Sequence, residues 1–134
     1  MQLKLRRSQK SGLTGTPVFI LDVMAELTDE EAELVKKYKL KGQLVYTSEA
    51  ADQNLAKSEA GSWAGFGGAI MDRVTKRSFT LGALVSGQHL ECKDLNEVVA
   101  TENQVHQACR NIRGYIDVAR QFDGSEQIVE IEPA

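Results

Sequence analysis

Cysteine and histidine are scarce in this chain, with two of each among 134 residues. Two cysteines cannot make the disulfide framework of a small secreted domain. Their simplest setting is reducing, hence cytoplasmic. Long apolar runs are missing as well, and nothing approaches the ~18 residues that a membrane span needs. The opening MQLKLRRSQK is basic but lacks the ~7–15-residue apolar run of a secretory signal. Nor is there a surplus of positive charge. A net charge of −3 exerts no general pull toward nucleic acid or anionic membrane.

What is present reads as one soluble globular domain over residues 1–134, long enough to bury a core without staples. The charge is unevenly spread. Residues 1–80 carry 12 basic and 10 acidic side chains, and residues 81–134 carry 4 and 9, so the second part is the acidic one.

Polar–apolar alternation in QLKLRR predicts a half-buried strand, with Leu3 and Leu5 on one face. SGLTGT supplies a turn, and PVFILDVMAEL predicts a second, more central strand with Pro17 at its start. LTDEEAELVKKYKLKG is the clearest helix. Thr28 and Glu31 form a capping box, with acids at the positive end of the dipole and lysines at the negative end. QLVYT reads as a strand, SEAADQNLAKSEA as a weakly amphipathic helix, SFTLGAL as a fourth strand and GQHLEC as a fifth. From Asp94 a long amphipathic helix begins, with apolar residues recurring at 3 and 4 spacing to Phe122 and Gly124 as its stop. EQIVEIE alternates again and predicts a last strand. The expected fold class is α+β. It comprises a mostly antiparallel or mixed sheet of about six strands, with the long C-terminal helix and a shorter helix packed on one face.

The histidines and cysteines fall as His89-x-x-Cys92 and His106-x-x-Cys109, which suggests a four-ligand metal set. Geometry opposes it. On a strand, residues three apart point to opposite faces, so His89 and Cys92 cannot share an ion. Cys109 lies fifteen residues beyond Asp94, roughly 22 Å along a helix at ~1.5 Å per residue. The ligands do not converge, and no metal is implied. A break at Thr101, itself a capping-box residue, would fold the helix back, but the apolar stripe runs through that point. Cys92 and Cys109 then read as small buried hydrophobes. His89 and Glu91 do share a strand face, and a His beside a carboxylate suits acid–base work, so they are the catalytic candidates. The competing reading is a solvated outer face whose charge pairs contribute little.

GSWAGFGGAIMDRVTKR combines four glycines with the sole tryptophan. It matches neither a P-loop nor a dinucleotide fingerprint, so no cofactor is implied. Read as a helix, Trp63, Phe66, Ile70 and Val74 line one face, with Arg73, Lys76 and Arg77 following. Glycines cost ~0.8–1 kcal/mol each relative to alanine, so this helix is marginal alone. Residues 61–75 have the composition of a flexible stretch that orders on a partner. The stripe either closes over the domain's own core or docks a partner, most simply a second copy in a homodimer. Trp63, Phe66, Ile70, Arg73 and Arg77 are the expected contact residues. Arg6 and Arg7 together with the lysines at 36, 37, 39 and 41 form a basic set that would hold phosphates if the two groups adjoin. Stacking aromatics are absent there apart from Tyr38, which disfavours nucleic acid. The sequence therefore points to a non-catalytic binding or scaffold module that self-associates or docks a protein. A small enzyme and a weak nucleic-acid binder are the alternatives.

Overall fold

The computed structural model describes residues 1–48 and 77–133. Beyond Ser48, the predicted helix over SEAADQNLAKSEA and the residues Trp63, Phe66, Ile70 and Arg73 lie outside the described residues. The chain begins with a hairpin, β1 (Gln2–Ser11) and β2 (Pro17–Glu26), in register from Gln2 opposite Glu26 to Ser11 opposite Pro17. Gly12 and Gly15 close the turn. A Cβ on Gly12 would sit 2.8 Å from the Thr16 carbonyl oxygen, and Gly15 takes φ 79°.

Helix α1 (Asp29–Lys37) starts as its sequence dictates. The Glu31 amide donates to Thr28 Oγ1 at 3.2 Å, and the Thr28 amide donates to Glu31 Oε1 at 2.9 Å. Lys39 enters the left-handed region at φ 55°, and a 3-10 turn over Leu40–Gly42 leads into β3 (Leu44–Thr47). After residue 77 come β4 (Ser78–Thr80), α2 (Leu81–Ser86), β5 (Gln88–Cys92) and α3 (Leu95–Arg120). The Glu97 amide donates to Asp94 Oδ1 at 2.8 Å and caps α3, which runs unbroken through a fully buried Thr101.

The fold is α+β with a long C-terminal helix and antiparallel sheets. Among the described residues there are five strands in two sheets, β1-β2-β5 and β3-β4, rather than six. Two expectations are corrected, and the second alone removes the sixth strand. SFTLGAL is a strand only to Thr80. Its Oγ1 accepts from the Ala83 amide at 3.2 Å and starts a helix that buries Leu81 and Leu84, three apart on one face. EQIVEIE is no strand at all. It leaves the end of α3 as exposed, irregular chain, because alternation makes a strand only where a neighbouring strand completes its hydrogen bonds.

The core lies between the inner sheet face and α3. Leu21, Val23, Ala25, Leu90 and Cys92 of the sheet face Val105, Ala108, Ile112 and Ile116 of the helix, with Val45, Phe79, Leu81 and Leu84 beside them. Both cysteines are free thiols. Among the described residues, no helix is long and apolar enough to cross a membrane.

Candidate functional site

Strand alternation puts Leu21, Val23 and Ala25 of β2 inside, so Asp22 and Met24 face outward. Register then assembles a row across the sheet, with Arg6 of β1, Asp22 of β2 and His89 of β5 side by side. Lys4, Arg6, Asp22, Met24, Gln88 and His89 border an open depression of about 710 Å³ on this outer face.

Within the row, His89 Nδ1 lies 2.7 Å from Asp22 Oδ1. Lys4 Nζ pairs with Glu26 at 2.8 Å, and Lys10 Nζ pairs with Glu91 at 2.5 Å. The hydrogen bond and positive charge of Lys10 hold the Glu91 carboxyl below the usual carboxylate range, with His89 adding a little. His89 and Glu91 thus stand on one face as expected, but each is bound to a different partner, Asp22 to one and Lys10 to the other. A carboxylate on Nδ1 orients the ring, and the His89 side chain stays 59% exposed. That arrangement can accept or deliver a proton, given a substrate in the depression.

The second His–Cys pair lies elsewhere. His106 and Cys109 border a cleft of about 190 Å³ with Met1, Leu3, Arg110 and Arg113. Burial pushes the Cys109 thiol up, away from the reactive thiolate. Among the described residues, no three His, Cys, Asp or Glu side chains are placed to hold a metal ion.

Arg77 is half-buried between β5 and α3. Its Nη2 donates to the Glu91 carbonyl at 3.1 Å and stands 3.5 Å from Glu97 Oε1, and Nε reaches Thr101 Oγ1 at 3.4 Å. Of the basic set, Arg7 is tied to Glu102 of α3 at 2.6 Å, and Lys41 packs against Gly82 of α2. Arg6 makes no ion pair with a described residue.

Sequence reasoning missed Asp22 and the exposed chain after α3. Asp22 had a signal, as the lone charge within the apolar run PVFILDVM. The C-terminal segment carries one too, in its alternation, which predicts a strand where the structure has exposed, irregular chain. Ile128 and Ile131 are 86% and 87% exposed.

Comparison with protein-family models, with curated proteins and with solved structures finds no match to this chain.

Proposed function

We propose that this protein is a non-catalytic binding module that associates with a second copy of itself or docks another protein. The supporting observation is the chain beyond α3. Ile128, Val129 and Ile131 are exposed there, alternating in part with Glu130 and Glu132. Scattered single apolar residues are ordinary on a surface. Three within four positions of an extended chain lack that explanation and suit an interaction segment. The 61–77 segment belongs to the same proposal as a second contact, through Trp63, Phe66, Ile70 and Arg73, with Arg77 at its border. The setting proposed is cytoplasmic.

The test is the mass of the full chain in solution, by native mass spectrometry and sedimentation. Wild type is expected as a dimer. The double variants Ile128→Ser with Ile131→Ser and Trp63→Ala with Phe66→Ala then separate the two contacts. A wild-type chain that stays monomeric and captures no protein at roughly 100 μM, where weak association would show, removes the reading.

A second reading rests on the 2.7 Å Asp22–His89 pair beside the depression. It makes the protein a small acid–base enzyme using His89, with Glu91 as neighbour. A small molecule retained by wild type and lost by His89→Gln would support it. Equal retention by both would end it.

A further inference from the structure

Among the described residues, the structure carries a strand-like sequence without a partner strand and an open sheet edge of opposite charge. Among the described residues, β1 is one edge of the three-stranded sheet, with ten residues paired only to β2. It holds Lys4, Arg6, Arg7 and Lys10 and no acid. The segment 123–132 holds Asp123, Glu126, Glu130 and Glu132 and no base. The opposite sheet edge is less open, because Arg77 already occupies the Glu91 carbonyl of β5.

Resting on the self-association proposed above, we infer that residues 126–132 of one copy add as a strand to the β1 edge of a second copy, antiparallel, in a reciprocal two-fold exchange. With Glu130 opposite Arg6, Glu132 meets Lys4 and Glu126 meets Lys10, all on the outer face. Ile131 meets Leu5 on the inner face, where Leu3 and Leu5 are half-buried against the core. A shift of one residue would put every acid on the wrong face, so this pairing is register-specific. Lys4 and Lys10 keep room for a second acid, since their side chains remain 64% and 56% exposed beside Glu26 and Glu91. Arg6 has no ion pair to give up among the described residues. Lysine and arginine on an edge repel a like edge and so prevent indiscriminate pairing. They admit an acidic strand, whose main-chain hydrogen bonds supply the affinity.

Direction follows from where the segment begins. Arg120, at the end of α3, lies 3.4 Å from Glu31 Oε2, and Glu31 Oε1 lies 3.0 Å from the Met1 amine. The segment therefore departs beside the Met1 end of its own β1. Folding back on its own strand would make it parallel. In a two-fold dimer whose β1 edges face each other, it enters the partner's β1 at the Ser11 end and runs antiparallel.

The test uses the full chain with Cys109 replaced by serine and the buried Cys92 retained. A preparation carrying Arg6→Cys is mixed with one carrying Glu130→Cys under mild oxidation. The expected product is a disulfide-linked dimer of the two chains. Replacing the second by Val129→Cys, on the other face, is expected to lower the yield about tenfold, as register-specific pairing requires. Arg6→Glu is expected to weaken the dimer roughly tenfold through two symmetric like-charge contacts, with restoration by Glu130→Lys in the same chain. A dimer insensitive to Arg6→Glu, or cross-linked equally by the Val129→Cys control, overturns this edge and register while self-association stands. A disulfide closing within single chains carrying Lys4→Cys and Glu130→Cys, with none in the mixture, shows parallel pairing within one copy and also overturns it. A wild-type monomer without that closure overturns both readings.

Discussion

The Arg77 guanidinium donates to the main-chain carbonyl of Glu91 at 3.1 Å, joining the residue before β4 to the edge of a strand fourteen residues on. The same side chain reaches Thr101 and Glu97, so one cation ties β5 to the first turns of α3. Arg77→Ala is expected to lower stability by about 1–3 kcal/mol, the usual range for hydrogen bonds to charged groups. Arg77→Lys is expected to recover less than half, because an ammonium lacks the planar fork that spans these acceptors. Urea unfolding of the three proteins decides it. Equal midpoints would show that the contacts are idle.

Glu31 is one carboxyl that couples the stability of the fold to acid pH. Burial alone would raise its carboxyl pKa. The hydrogen bonds from the Thr28 amide, the Met1 amine and the Thr28 hydroxyl outweigh burial and bring it below the ordinary value. A carboxyl lowered in the folded state contributes stability above its unfolded value of about 4.3, and loses it as pH falls through the folded value. Glu31→Gln is therefore expected to be less stable than wild type at pH 7, by about 1–2 kcal/mol. The gap should narrow below about pH 4. A gap constant with pH, read from melting in a buffer series, would refute the assignment.

Gly82 lies in α2, where alanine would ordinarily gain up to ~1 kcal/mol of helix propensity. Here its Cβ would sit 2.9 Å from the Lys41 carbonyl oxygen and 3.2 Å from Lys41 Cβ. Gly82→Ala is expected to destabilise by about 1–3 kcal/mol, the range for overpacking against backbone. A rise in melting temperature would show that the 3-10 turn yields instead.

The two thiols differ in access. Cys109 is half-buried with its thiol pushed up, and Cys92 is 1% exposed with Thr101 Oγ1 at 3.6 Å. In native protein, Cys109 is expected to label slowly at neutral pH and faster as pH rises past its usual range. Cys92 should label only on unfolding. Following each by mass after timed alkylation checks both, and early labelling of Cys92 would contradict its burial.

Local chemistry was legible in the sequence wherever neighbouring residues complete each other's bonds. Thr28 with Glu31, Asp94 with Glu97, and the 3.6-residue recurrence of Val105, Ala108, Ile112 and Ile116 needed no distant partner to be read. The separation of His89 from Cys92 followed in the same way, from strand alternation alone.

What lay beyond the sequence depended on groups far apart along the chain. Leu81–Ser86 resembles a strand by composition and becomes a helix because Thr80 caps it and Leu81 and Leu84 find the core. His89 became one member of a pair only when register placed Asp22, 67 residues earlier, beside it. The clearest case is the C-terminal alternation. The sequence determined that residues 126–132 suit a strand, since period-two patterning is a property of the segment itself. Tertiary structure decided that they find no partner strand among the described residues, because a strand's main-chain bonds must be completed by a neighbour that no segment carries for itself.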